Sequence, residues 1–238
     1  MDTRRAKIGP RNSHWSAKTS TIGELTFILG RFLMAQAYDV LLVRHGESES
    51  NATGRFAYQS WDPRLTQKGL EQARQLAGRL QQAPISYLAT SPLTRAQETI
   101  RPLADALKIE AVVIPELAEV NLGQWDGVRL VDLEQANNSE FQAWRRDPEA
   151  NPPPGGESIL TVGRRVLAGL EKFVTSREPG LTVAATHADC IKGTVLVITK
   201  SAGPAARSLF VPNCGQLMMR YLPNFHRWVL VLTQGYFG

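Results

Sequence analysis

A chain of 238 residues with 43% apolar content has material for a full hydrophobic core and room for one large domain or two small ones, of which one is expected. Its formal charge of +5 is concentrated at one end: residues 1–37 hold Arg4, Arg5, Lys7, Arg11, Lys18 and Arg31 against Asp2 and Glu24, a balance of +4 that leaves +1 for the body. A nearly neutral body argues against a nucleic-acid partner, and the lack of any apolar run near the roughly 20 residues of a bilayer span argues against a membrane partner.

In chain order, the basic residues come first, followed by Leu25-Thr26-Phe27-Ile28-Leu29-Gly30 and Ala35-Gln36-Ala37, a superficial likeness to a secretory signal. The apolar run is short, Arg31 interrupts it, and cleavage after Ala37 would fall just before the first strand. An organellar transit segment, a disordered tail and a start at Met34 are the other readings. The expectation is a dispensable basic extension over 1–37 ahead of one domain over 38–238.

From Tyr38 short apolar runs alternate with segments whose apolar residues recur every three or four positions. Strands are predicted at Asp39–Val43, Ile85–Ala89, Ala111–Ile114, Leu181–Ala185, Gln216–Leu222 and Trp228–Leu232. The first, second and fourth are continuous apolar runs, as in strands covered on both faces. A helix from Thr66 to Leu80 puts Leu70, Ala73, Leu76, Ala77 and Leu80 on one face, with Thr66 able to cap. A second opens at Ser91-Pro92, a cap followed by proline, and runs to about Leu107. Further helices are predicted from Ser158 to Thr175 and just beyond His187, carrying Ile191, Val195 and Ile198. Pro152-Pro153-Pro154-Gly155-Gly156 reads as a loop. This alternation predicts an α/β fold. Cys190 and Cys214 are the only cysteines, too few for a disulfide framework, so a reducing, cytoplasmic compartment is expected.

The chemistry centres on two histidines that follow strands, His45 and His187. Ligands in open α/β sheets bind beyond the carboxyl ends of strands, so the two rings are expected to share a crevice. Metal binding is the first alternative, because imidazole ligates zinc and Glu119 or Asp189 can complete a site. Arg44, beside His45, and Arg95, in a helix leaving a strand, argue against it: guanidiniums repel a divalent cation and clamp a phosphate. Free N–H groups at that helix start also attract anions. There is no Gly-x-x-x-x-Gly-Lys-Ser/Thr loop, no Gly-x-Gly-x-x-Gly and no Gly-x-Ser-x-Gly elbow. Cys214 and Arg220 have the spacing of a cysteine phosphatase loop, but Gly215-Gln216-Leu217-Met218-Met219 between them reads as strand. Trp61 and Trp125 are read as packing residues, with a place in a pocket wall as the alternative. Cys190 is close enough to His187 in sequence to lie near the site.

Arg44-His45-Gly46-Glu47-Ser48-Glu49-Ser50-Asn51 resembles the Arg-His-Gly-Glu-Ser/Thr-x-x-Asn motif of the histidine phosphatase superfamily, which includes the cofactor-dependent phosphoglycerate mutases. The resemblance continues through Leu65-Thr66-Gln67-Lys68-Gly69, Ser91-Pro92-Leu93-Thr94-Arg95-Ala96-Gln97-Glu98-Thr99, Gly123-Gln124-Trp125-Asp126-Gly127, Gly155-Gly156-Glu157-Ser158 and Thr186-His187-Ala188-Asp189. It covers about residues 39–222, in the family's order.

That likeness implies a single three-layer domain of the phosphoglycerate mutase type, with a mostly parallel central sheet and helices on both faces. It implies that His45 attacks phosphorus and forms a phosphohistidine, while Arg44, Arg95, His187, Asn51 and the N–H of Ala188 hold the phosphoryl oxygens. The family's acid lies four residues before Gly123, which selects Glu119 over Glu116 as donor to the leaving alkoxide. No cofactor and no metal is called for, since the arginines supply the positive charge. The segment between Gly127 and Gly155 is short and lacks the arginine-rich insertion of the mutases. Hydrolysis of a small phosphorylated metabolite is therefore expected, by a monomer or homodimer, with mutase activity as the alternative and a non-catalytic phosphate-binding module as a third reading.

Overall fold

The computed structural model describes residues 37–232; the basic segment 1–36 and the expectations attached to it lie outside the described residues. Six strands form one sheet: β1 (Tyr38–Arg44), β2 (Ile85–Thr90), β3 (Ala111–Val113), β4 (Leu181–Thr186), β5 (Gln216–Leu222) and β6 (Arg227–Leu230), in the order β3-β2-β4-β1-β5-β6. The first four strands pair in parallel, and β5 and β6 join as an antiparallel pair beyond β1. The expected α/β class with a mostly parallel sheet is thus the observed one.

Both faces of the sheet are covered because side chains along a strand alternate between faces. Val40 and Leu42 of β1 join one core with Val162, Val166 and Leu170 of α6 (Ile159–Thr175), Cys190 and Ile191 of α7 (Ala188–Thr199), and Phe141 and Trp144 of α5 (Ser139–Arg146). Leu41 and Val43 face the other way, against Leu76 and Leu80 of α2 (Gln67–Leu80) and Ala96, Ile100 and Leu103 of α3 (Thr94–Leu107). All four β1 residues are at most 1% exposed, so each contributes about 1.5–3 kcal/mol relative to an exposed position, and together they fix the strand that carries the site. No helix among the described residues is long and apolar enough to cross a membrane.

Local signals set most boundaries. Thr66 caps α2, accepting from the Gly69 N–H at 3.1 Å, and Ser158 caps α6 by accepting from Thr161 N. The helix expected from Ser91 begins instead at Thr94, with Leu93 at the cap position. Its capping acceptor comes from a distant loop, since the Asp62 carboxylate accepts from Thr94 N at 2.9 Å and from its hydroxyl at 2.7 Å. Three short helices were not anticipated: α1 (Glu49–Thr53), α4 (Leu130–Gln135) and α5. Phe141 and Trp144 of α5 pack with Trp125 as an aromatic cluster, ring centroids 5.6–5.7 Å apart, which ties the segment after Gly127 to the core.

Candidate active site

The strand register brings the predicted histidines to one edge. Arg44 of β1 lies opposite Thr186 of β4, and Thr90 of β2 lies opposite Ala185. The next residues, His45, His187 and Ser91, therefore leave three neighbouring strands side by side. Backbone bonds continue the ladder, from His45 N to Thr186 O and from Ser91 N to Ala185 O, each 2.9 Å. The two imidazole centroids are 5.2 Å apart. The His45 ring is 2% exposed, and its Nδ1 lies 2.7 Å from Gly46 O. A carbonyl can only accept, so the ring proton sits on Nδ1 and Nε2 keeps its lone pair. Burial, then the charges of Arg95 and Arg44, hold the His45 pKa well below its usual range, with the Gly46 carbonyl opposing. The ring is neutral, and Nε2 is available as a nucleophile. Gly46 is required beside it: its N–H donates to Thr99 Oγ1 at 3.0 Å, and a Cβ there would meet Gly69 O at 2.7 Å.

Cationic and neutral donors share the cleft or pack beside the His45 ring. Arg44 donates through Nη1 to Val211 O at 2.7 Å, and Arg95, 2% exposed, through Nη2 to Ala57 O at 3.0 Å. Asp62 lies 3.5 Å from Arg95 Nη1. Arg44 Nε, Arg95 Nε and Nη1, and His187 Nδ1 are buried with no hydrogen-bond acceptor among the described residues. Buried donors are nearly always satisfied, so four unsatisfied ones on three residues around one ring form a donor set suited to a tetrahedral oxyanion. Ser91 governs the second histidine. Its Oγ accepts from Leu93 N and lies 2.8 Å from His187 Nε2. The Ser91 hydroxyl can donate to Nε2, an arrangement that puts the His187 proton on Nδ1, the unsatisfied atom. Burial, then Arg95, holds His187 neutral as well.

Glu119 Oε2 lies 3.9 Å from His187 Nδ1, and Oε1 accepts from Val120 N at 2.9 Å. The side chain is 14% exposed. Burial, reinforced by the nearby Asp189 carboxylate, pushes its pKa up to about 7 against the pull of Arg95 and Arg44. A carboxyl titrating there is partly protonated at neutral pH, so it can give a proton away and take one back. The loop is held by Arg165, which donates to Glu116 O at 2.6 Å, Ala118 O at 3.0 Å and Glu119 O at 3.3 Å while paired with Glu157 at 2.9 Å.

Residues 40–233 match the family model described as the histidine phosphatase superfamily, branch 1. The chain belongs to that superfamily. The chain is 34% identical over 134 residues to phosphoserine phosphatase 1 of Hydrogenobacter thermophilus, covering 56% of this chain and 63% of that protein, somewhat under two thirds. It is 34% identical over 179 residues to a probable phosphoglycerate mutase GpmB of Enterobacter sp., covering 74% and 81% of the two chains. Among solved structures it is similar to Bacillus stearothermophilus YhfR, with a TM-score of 0.75 and 22% identity over 84% of this chain and 100% of that one.

The cleft, about 140 Å³ in volume, is lined by Arg44, His45, Asn51, Arg95 and Glu119 among the expected residues. His187 and Ala188 are not among its lining; His187 is fully buried, and Ala188 opens α7, where its N–H has no acceptor within the helix. Sequence reasoning missed Ser91 as the partner of His187, Arg165 as the clamp on the Glu119 loop, and Arg55 in the lining; Ser50 and Asp189, which stand in the motifs, line the cleft as well. Glu157, of the Gly155-Gly156-Glu157-Ser158 motif, is the carboxylate that orients Arg165. Trp125 is 4% exposed in the core and Trp61 lies under the Arg55 guanidinium, 5.5 Å from its ring centroid; neither lines the cleft. Cys190 is buried with its thiol donating to Ala118 O at 3.0 Å. Arg220 pairs with Asp39 at 2.6 and 2.8 Å on a regular strand, so the Cys214–Arg220 spacing does not close into a phosphate cradle.

Proposed function

We propose that this chain is a metal-independent phosphomonoesterase that hydrolyses a small phosphorylated metabolite through a phosphohistidine on His45. The observation that carries the reading is the neutral, Nδ1-anchored His45 ring set among unsatisfied arginine and histidine donors. His45 Nε2 forms a bond to phosphorus as the bond to the leaving oxygen breaks, and Glu119 transfers its proton to that oxygen. Arg44, Arg95 and His187, joined by Asn51 and the Ala188 N–H, stabilise the charge that spreads over the three phosphoryl oxygens. A water molecule then gives its proton to the Glu119 carboxylate and attacks phosphorus, releasing orthophosphate and restoring His45. The guanidiniums provide the charge that a divalent ion provides elsewhere. Two free thiols suit a reducing compartment such as the cytoplasm.

Glu119 must be protonated to act first, so activity is present below its pKa of about 7 and is lost above it. With an alkyl phosphate, kcat/KM is expected to fall about tenfold per pH unit on that limb, and Glu119→Gln is expected to lose about 10²–10⁴-fold in rate and to lose the limb. A limb that persists unchanged in Glu119→Gln assigns the titration to another group.

Mutase activity is the second reading, favoured by the similarity to the probable phosphoglycerate mutase GpmB over 81% of that protein. Hydrolysis is preferred because a mutase needs a cationic lid. Here α5 is tied into the core, and Arg129 and Arg145 of the segment after Gly127 pair with Asp132 and Glu134, each at 2.6 Å. Incubation with 3-phosphoglycerate and a trace of 2,3-bisphosphoglycerate is expected to release orthophosphate faster than it forms 2-phosphoglycerate; the opposite order overturns the preference.

A further inference from the structure

The segment from Val211 to Gly215 crosses the carboxyl end of β1. Arg44 N donates to Gly215 O at 2.9 Å, Cys214 N donates to Arg44 O at 3.1 Å, and Val211 O holds the Arg44 guanidinium. Asn213 sits in the middle of this strap, and no motif in the sequence singles it out. Its Nδ2 donates to His45 O and to Asn51 Oδ1, both at 3.1 Å.

We infer that Asn213 is a positioning residue that fixes the orientation of the Asn51 amide, so that Asn51 presents its Nδ2 donors to the phosphoryl group. Two groups whose roles cannot be exchanged set this orientation. The His45 carbonyl accepts only, so the end of Asn213 that faces it is nitrogen. That nitrogen also faces Asn51, so the facing atom of Asn51 is oxygen. From the other side, the Ser48 N–H donates only, and it too reaches Asn51 Oδ1, at 3.2 Å. Both lines agree, and a flipped Asn51 would set its N–H₂ against two donors. Asn51 lines the cleft with Arg44 and His45, and its Nδ2 makes no hydrogen bond among the described residues. The strap therefore acts on the anion at one remove, through the amide it locks. This inference rests on the phosphatase reading above.

A double-mutant cycle tests it, read on p-nitrophenyl phosphate turnover and on orthophosphate affinity. A hydrogen bond to a charged group is worth enough that Asn51→Ala is expected to lower kcat/KM and weaken orthophosphate binding by about 10–100-fold. Asn213→Ala is expected to lose up to that amount, and Asn213→Asp more, because a carboxylate facing Asn51 accepts from Nδ2 and turns the amide round. In the Asn51→Ala background both Asn213 substitutions are expected to add less than about twofold, the mark of two residues acting as one. Independent, multiplying losses, or Asn213→Asp equal to wild type, overturn the inference; the isosteric Asp variant carries the cycle if the Ala variant is unfolded. Wild-type protein that binds orthophosphate but hydrolyses no phosphomonoester sinks the phosphatase reading alone, and the cycle is then read on affinity.

Discussion

Replacing His45 with alanine is expected to reduce p-nitrophenyl phosphate turnover by more than about 10⁴-fold and to abolish acid-labile phosphoryl labelling of the protein. The size of the loss follows from the lack of a substitute. The Ser91 hydroxyl is engaged by Leu93 N and His187, and the buried Cys190 thiol faces Ala118 O with burial and Glu119 raising its pKa. Cys214 is likewise pushed up to about 11, mainly by burial. None of them offers an anionic nucleophile at neutral pH. The donors on Arg44, Arg95 and His187 are untouched, so orthophosphate should still bind within about an order of magnitude of wild type while chemistry is gone. Turnover that survives in the variant rejects His45 as the nucleophile. Wild-type protein that binds orthophosphate yet never labels would instead support the phosphate-binding module.

Arg95→Met is expected to lower kcat by about 10³-fold or more, a loss like that of removing a cation that stabilises a transferring phosphoryl group. Methionine keeps much of the volume, so the rate loss reports charge rather than collapse. A second effect has a definite sign. Arg95 is the strongest charge depressing both imidazoles, after burial. Without it their pKa values rise, and the acid limb of the residual kcat/KM profile should move to higher pH. A third concerns the fold. Arg95 is a buried cation with two unsatisfied nitrogens and one carboxylate 3.5 Å away, a desolvation cost that the apoprotein bears for function. The thermal midpoint of Arg95→Met should equal or exceed that of wild type in phosphate-free buffer. A midpoint lowered by several degrees would mean that the Ala57 and Asp62 contacts outweigh that cost.

Residues whose signals are local were legible in the sequence. His45 and His187 follow uninterrupted apolar runs, which marks them as strand-end residues, and the register of two adjacent parallel strands does the rest. Thr66 and Ser158 cap helices with their own side chains, so both helix starts came out within a residue. Ser91-Pro92 misled for a physical reason: its hydroxyl is taken by His187, a partner 96 positions away, and Asp62 caps the helix from 32 positions away. Composition at a helix start cannot reveal such long-range substitution. The helices after Gly127 were invisible because they are short and α5 buries only two side chains, Phe141 and Trp144, too few to set a period. Arg165 lies on a helix whose apolar stripe was read correctly, yet nothing in that stripe says that a guanidinium beside it reaches three carbonyls.

The strap that crosses β1 comes from residues more than 160 positions beyond the ring it braces. Reaction chemistry is thus assembled from opposite ends of the described chain, and closure of a loop spanning 168 positions precedes it. A nascent polypeptide still lacking its last fifth would already own both imidazoles and both key guanidiniums, but it would be without the carbonyl and the amide that steady them. Competence should appear late in synthesis, and all at once.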